Sequence, residues 1–179
     1  MIAALAGRRI DEENAETRRF PLENIELVRT RIADFLKEKE VSVLICSAAC
    51  GADLLALEIA GKLEIERHII LPFERERFCT TSVTDRPGIW GKLFDEICDA
   101  VERAGNLTIL KGFEDENEAY AQATAEILNK AESLHPRGGD KKIAVIVWEG
   151  DVKNETDETA KFAIRAQARA FAVEEILTI

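Results

Sequence analysis

Val41-Ser-Val-Leu-Ile-Cys-Ser-Ala-Ala-Cys-Gly-Ala-Asp53 is the stretch of sequence that decides the fold. Residues 41–46 are mostly apolar and β-branched, which predicts a buried strand. Residues 51–63 carry leucine and isoleucine almost all round, which predicts a heavily buried helix. A loop of small side chains joins the two. An apolar strand followed directly by a helix is typical of a parallel sheet that is covered on both faces.

The same alternation of strand and helix extends in both directions along the chain. Further strands are predicted at residues 2–6, 69–73, 107–110, 143–148 and 172–179. Further helices are predicted from Pro21 onward, at residues 90–105, around residues 120–131 and at residues 156–170. Residues 74–89 have no clear period and predict a long loop. We therefore predict one α/β domain, residues 1–179, with a three-layer Rossmann-like fold. Its mostly parallel sheet has about six strands, with helices on both faces.

Composition limits the classes of partner. The formal net charge is −10, which argues against binding to nucleic acid or to an anionic membrane surface. No apolar run approaches the roughly 20 residues that span a bilayer, and the first residues do not resemble a signal peptide. We therefore expect a cytoplasmic protein.

The residues that bind metals or drive hydrolysis are sparse. The spacing of Cys46 and Cys50 does not match a common zinc signature, and the two histidines, His68 and His135, are isolated. The same isolation gives no support to a hydrolytic triad. We expect neither a metal nor a bound cofactor, and the sequence does not identify a catalytic residue.

Candidate ligand-binding residues follow the predicted strands, because open parallel sheets bind ligands beyond the carboxyl ends of their strands. Gly7 would let backbone approach a ligand, and Arg8 or Arg9 would pair with a phosphate, unless they form a simple turn with solvated arginines. In the loop after the second strand, backbone amides and the Ser47 hydroxyl would hold an anion. Asp53 is expected to cap the following helix, with contact to a ribose hydroxyl as the alternative.

Two later strand ends also carry candidates. Phe73, after Pro72, would stack on a base, although we expect such aromatic residues more often in the core. At the end of residues 143–148, Trp148-Glu149-Gly150 and the hydroxyl of Thr159 would suit a nucleoside phosphate, or the threonine would only start a helix. The predicted ligand-binding residues are Gly7, Arg8, Ser47, Gly51, Ala52, Asp53, Pro72, Phe73, Trp148, Glu149, Gly150 and Thr159.

Taken together and in order, these segments resemble the SLOG-like, Rossmann-like modules related to the LOG and DprA proteins. The resemblance is carried by Ser47-Ala-Ala-Cys-Gly-Ala-Asp53, Ile70-Leu-Pro-Phe73 and Trp148-Glu-Gly150. It covers nearly the whole chain, and the similar modules occur beside signalling domains in bacterial proteins. The resemblance implies binding of a nucleotide-derived ligand, often by a sensor. One position departs from the pattern: Asp157 and Glu158 stand where relatives place two glycines, which opposes a phosphate there.

Three functions are consistent with these observations. The first is binding or sensing of a nucleotide or nucleotide-derived small molecule, which we expect more than an enzyme. The second, implied by the wider superfamily, is an N-glycosidase acting on nucleoside monophosphates. Its candidate carboxylates are Glu149, Asp151, Glu155 and Glu158. The third is a degenerate scaffold that binds only protein. Relatives of this architecture often pair, so we also expect a homodimer.

Overall fold

The computed structural model of the chain describes residues 1–134, 141–154 and 157–179. These residues contain the strands β1 (Ile2–Gly7), β2 (Val43–Cys46), β3 (Glu66–Leu71), β4 (Leu107–Ile109), β5 (Lys142–Trp148) and β6 (Ala172–Leu177). The strands form one sheet in the order β4-β3-β2-β1-β5-β6, and every neighbouring pair is parallel. The predicted α/β fold with a parallel sheet is confirmed.

Helices connect the strands. They are α1 (Ile25–Glu38), α2 (Ala52–Lys62), α3 (Arg75–Ser82), α4 (Trp90–Arg103), α5 (Glu116–Ser133) and α6 (Glu158–Ala168), and a 3-10 turn (Leu22–Asn24) precedes α1. The prediction of an irregular loop over residues 74–89 is wrong where α3 forms. Only Phe78 and Ser82 of α3 are buried, which is too few side chains to show a helical period. The predicted helix start at Thr156 lies outside the described residues.

Side chains of each strand alternate between two cores, as the pleat of a strand requires. Ala3 and Leu5 of β1 lie in one core, which also contains buried side chains of α1, α2 and α4. Ile2 and Ala4 lie in the other core, with buried side chains of α5 and α6. Helices therefore cover both faces of the sheet, which confirms the predicted three-layer, Rossmann-like arrangement.

The strand order places a crevice at the end of β1. The chain builds the sheet outward from β1 through β2, β3 and β4, and then returns to the other side of β1 with β5 and β6. At such a switch point the helices that follow neighbouring strands lie on opposite faces, so the carboxyl ends of those strands are left open. The ends of β1, β2 and β5 are therefore the expected position of a ligand.

None of the helices within residues 1–134, 141–154 and 157–179 combines the length and the apolar character that a membrane-spanning segment needs.

Candidate functional site

A cleft of about 960 Å³ lies at the carboxyl end of β1. Its walls come from the end of β1, residues 8–19, the loop between β2 and α2, the first half of α5 and the start of α6. Volumes of this size are typical of clefts that hold a small organic ligand. The position agrees with the crevice that the strand order creates.

One wall of the cleft is formed largely by apolar side chains of the helices. Tyr120 of α5 is half-buried, and its hydroxyl lies 2.7 Å from the hydroxyl of Ser82 in α3. The ring of Phe73 meets the Tyr120 ring edge-on at 5.5 Å between centroids. Phe78 and Ile127 complete this wall. A planar, weakly polar group of a ligand would find an aromatic surface here.

Asp53 is one of two buried aspartates in the described cleft lining, together with Asp157. It lies in the first turn of α2 and is only 6% exposed. Its Oδ2 accepts a hydrogen bond from the backbone amide of Ala49 at 3.3 Å, and its Oδ1 has no hydrogen-bond partner among the described residues. The expected helix-capping role is wrong, because Gly51 is the N-cap of α2 and the carboxyl of Asp53 reaches back into the loop instead.

Burial strongly affects the protonation of Asp53. Removal of the carboxylate from water raises its pKa to about 7, and the hydrogen bond from Ala49 offsets only part of this rise. Near neutral pH the group therefore exists in both forms. The protonated form can donate one hydrogen bond and accept others, whereas the carboxylate can only accept.

Three of the amides at the loop before α2, where the sequence predicts an anion site, donate to acceptors of the protein itself. The amide of Cys50 donates to the carbonyl of Ser82, and the amide of Ala52 donates to the carbonyl of Arg8. The amide of Ala49 donates to Asp53. These donors are satisfied within the protein. Through the amide of Ala49, the loop also holds the carboxyl of Asp53 in place.

The glycines of the site serve close packing inside the protein. A Cβ atom on Gly7 would lie 2.4 Å from Cβ of Ala52, and one on Gly51 would lie 2.7 Å from the carbonyl oxygen of Arg8. Gly51 also has a φ of 99°, which side chains with a Cβ rarely adopt. The requirement for small residues at Gly7, Gly51 and Ala52 thus follows from the contact between β1 and α2.

Arg8 lies at the end of β1, where the sequence suggested a phosphate contact, but its partners are carboxylates of the chain. Its Nε donates to Glu149 at 2.6 Å, and its Nη1 and Nη2 donate to the two oxygens of Asp157 at 2.6 and 2.8 Å. Arg19 also pairs with Glu149. The side chains of Arg8, Glu149 and Asp157 are all at least nine-tenths buried, so the network lies inside the protein next to the cleft.

Asp157 is the N-cap of α6 and is fully engaged. In addition to Arg8, it accepts hydrogen bonds from the backbone amides of Lys153, Thr159 and Ala160. Burial alone would raise the pKa of Asp157, but the hydrogen bonds from Arg8 and the amides outweigh it and lower the pKa to about 2. Asp157 is therefore a built-in anion at the start of α6.

Several other predicted residues have their side chains committed elsewhere. Trp148 donates from its indole nitrogen to Glu175 at 3.0 Å. Phe73 packs against Tyr120 and Phe78, with the guanidinium of Arg77 4.4 Å from its ring centre. Among the described residues, the predicted positions that line the cleft are Gly7, Arg8, Ser47, Asp53 and Thr159. The predicted positions that do not line it are Gly51, Ala52, Pro72, Phe73, Trp148, Glu149 and Gly150.

The carboxylates suggested for a glycosidase are not gathered at one point. Glu149 is not a lining residue, and its carboxylate is paired with Arg8 and Arg19, which line the cleft. Asp151 is exposed, and Glu158 lines the cleft but pairs with Lys161. Glu155 lies outside the described residues.

Two walls of the cleft were missed in the sequence. Residues 10–19 were not among the candidates from the sequence, yet several of their side chains line the cleft. The other wall consists of Tyr120, Ala123, Thr124 and Ile127 of α5. The sequence predicted a helix here. Which side chains of this helix line the cleft depends on how α5 packs across β1, and the sequence does not show that packing. The pairing of Arg8 with Asp157, which are 149 positions apart, likewise had no local signal.

No protein-family model matches the chain, and no curated protein matches it either. The resemblance to the SLOG-like modules therefore rests on the residues quoted above.

Proposed function

We propose that this protein binds a nucleotide-derived small molecule in the cleft at the carboxyl ends of its parallel strands. The observation that carries the proposal is Asp53, a buried carboxyl in the cleft lining whose Oδ1 has no hydrogen-bond partner in the described part of the chain. Leaving such an atom without a partner costs about 1–3 kcal/mol. A ligand that supplies a donor would recover part of that free energy.

The surroundings of Asp53 support a ligand with both a flat ring and hydroxyl groups. Tyr120 offers part of an aromatic ring, and Ser47, Thr81 and Thr124 bring hydroxyl groups to the lining. The hydroxyl of Ser47 donates to the carbonyl of Ile70 at 2.7 Å and keeps its capacity as an acceptor. Oδ1 of Asp53 is itself covered, so contact with a ligand requires a small rotation of this side chain toward the cleft.

Calorimetric titration tests the proposal directly. The panel consists of adenosine, AMP, cyclic nucleotides, NAD and ADP-ribose, added to the full chain. We expect at least one of them to bind, and Asp53→Ala to weaken that binding by about tenfold or more. Asp34→Ala is the matched control, because Asp34 is an exposed aspartate on α1 outside the cleft lining.

A second pair of variants tests the place of binding. Thr124→Trp puts a bulky side chain at a half-buried position in the cleft, and we expect it to abolish binding. Gln122→Trp changes a half-buried position of the same helix that lies outside the cleft lining, and it should leave binding unchanged. Folded protein that binds nothing on the panel, or equal loss in both tryptophan variants, would contradict the proposal. The expected homodimer is a separate prediction that sedimentation velocity tests.

A further inference from the structure

Two helices, α2 and α6, begin at the cleft, and each has an aspartate in or beside its first turn. Free amides at a helix N-terminus attract phosphate, because the helix dipole is positive at that end. In α6 the amides of Thr159 and Ala160 already donate to Asp157. In the loop before α2, the amide of Ala49 donates to Asp53. A carboxylate of the chain thus occupies two donors at the start of α6 that would otherwise hold a phosphate group, and a second carboxylate occupies one amide of the loop before α2.

The buried cation next to the cleft is also engaged. Arg8 donates to both oxygens of Asp157 and to both oxygens of Glu149, and its Nη2 donates to the carbonyl of Asp151. A phosphate group that reached Arg8 would have to displace one buried carboxylate, and it would be repelled by the other. The network therefore disfavours an anion at this end of the cleft.

The arginines nearer the rim of the cleft are neutralised in the same way. Arg9 pairs with Asp85 at 2.8 Å, with both side chains about one-third exposed. Arg86 pairs with Glu12, while its buried Nε has no hydrogen-bond partner in the described part of the chain. Each of these arginines therefore already has a carboxylate beside it, which reduces its attraction for a further anion such as phosphate.

Asp53 offers chemistry of a different kind. It shares the cleft lining with Tyr120 and Thr124 of α5, which bring an aromatic ring and a hydroxyl group to the same cleft. A carboxyl that takes up a proton forms hydrogen bonds with neutral hydroxyl groups or ring nitrogens without adding a charge to the site. Such a group suits the sugar hydroxyls or the base of an uncharged ligand.

From these contacts we infer that the cleft selects nucleosides that carry no phosphate. The base lies against Tyr120, the sugar hydroxyls reach Asp53, and Asp157 excludes the phosphate group of the corresponding nucleotide. This inference rests on the proposed function and narrows it to one class of ligand.

The test compares each nucleoside with its own 5′-monophosphate. Adenosine, guanosine, cytidine and uridine, and the four monophosphates, are titrated into the full chain by calorimetry at about pH 6, where the carboxyl of Asp53 is mainly protonated. We expect at least one nucleoside to bind about tenfold or more tightly than its monophosphate. Inorganic phosphate, titrated alone, should not compete with that nucleoside.

Removal of the built-in anion should reverse this preference. In Asp157→Gly, the amides of α6 and the guanidinium of Arg8 become available, so the affinity for the monophosphate should rise about tenfold. The affinity for the nucleoside should change by less than about threefold. Asp115→Gly is the matched control, because Asp115 caps α5 and lies outside the cleft lining. It should change neither affinity.

The possible results separate the two proposals. A monophosphate that binds wild-type protein as tightly as its nucleoside, or more tightly, overturns the inference and leaves the proposed function in place. Folded Asp157→Gly with no gain in monophosphate affinity also overturns the inference. Binding of no compound in the nucleotide panel overturns the proposed function, and the inference with it. If Asp157→Gly does not fold, the comparison in the wild-type protein still decides.

Discussion

The starts of α2 and α6 place the same residue type beside the same cleft, and the two aspartates behave in opposite ways. Asp53 and Asp157 are 6% and 4% exposed. Burial raises the pKa of Asp53 to about 7, whereas the pKa of Asp157 is lowered to about 2 by hydrogen bonds that outweigh its burial. Both side chains are nearly closed to solvent, but the carboxyl of Asp157 has several donors that offset its burial, whereas that of Asp53 has one among the described residues.

The comparison shows that hydrogen-bond donors decide whether a buried carboxylate is fully engaged within the protein or is available to a ligand. Asp157 receives a bidentate pair from Arg8 and three backbone amides in the described part of the chain, so its charge is fully compensated. Asp53 receives only the amide of Ala49 there. A carboxyl that is buried without compensation is a common property of functional groups.

The largest effect is expected from Asp157→Ala. This change removes the cap of α6 and leaves Arg8 buried with Glu149 as its remaining carboxylate partner. We expect the free energy of unfolding to fall by about 4 kcal/mol, measured by urea denaturation at neutral pH. A loss of less than about 1 kcal/mol would show that the network around Asp157 contributes no more than an ordinary helix cap.

The next effect concerns pH and Asp53. The pKa is about 7 in the folded protein and 3.8 in an exposed aspartate, so from about pH 4 to pH 7 the unfolded chain loses a proton that the folded protein keeps. Stability therefore falls as pH rises through this range. In Asp53→Asn this loss is absent, so the stability of the variant relative to wild type should rise by roughly 3–4 kcal/mol between about pH 4 and pH 8.

The pH series has its control in the other aspartate. The lowered pKa of Asp157 stabilises the folded protein above about pH 4, and this contribution is lost as pH falls from about 4 toward 2. The two aspartates therefore act in adjoining pH ranges and with opposite signs. A relative stability of Asp53→Asn that does not depend on pH would contradict the assignment of the raised pKa to Asp53.

A smaller effect is expected at the backbone that holds Asp53. Gly51 is the N-cap of α2 with a φ of 99°, and a Cβ there would lie 2.9 Å from the amide nitrogen of Ile10. Gly51→Ala should therefore reduce the free energy of unfolding by about 2 kcal/mol. Gly105→Ala is a useful reference, because φ is also positive there but nothing lies within 4 Å of the added Cβ. Equal losses in both variants would show that the close contact at Gly51 adds nothing.

The smallest loss of stability is expected from Asp115→Ala, which serves as the reference for an ordinary helix cap. Asp115 caps α5 with one hydrogen bond, to the amide of Glu118 at 2.9 Å, and is exposed. Asp115→Ala should cost about 1 kcal/mol, as an ordinary cap does. Urea denaturation of this variant beside Asp157→Ala gives the part of the larger loss that is due to Arg8 and to burial. A similar loss of stability in both variants would show that Asp157 is no more than an ordinary helix cap.

Much of the fold was predictable because each strand and most helices carry a strong local pattern. The apolar run at the end of β5 and the helical spacing in α4 are examples. The residues of the site were predictable only where the order of the strands alone determines their position. Ser47 and Asp53 follow a central strand next to the switch point and line the cleft. Trp148 also ends a central strand, but its hydrogen bond to Glu175 depends on pairing with β6, which no local pattern reveals.

The most direct measurement follows the side-chain carboxyl signals of Asp53 and Asp157 by carbon NMR while the tightest-binding nucleoside is added. If Asp53 is the available group of the cleft, its signal will shift and saturate with the ligand, while the signal of Asp157 stays in place. An unchanged Asp53 signal at saturating ligand would contradict the role assigned to this residue in binding.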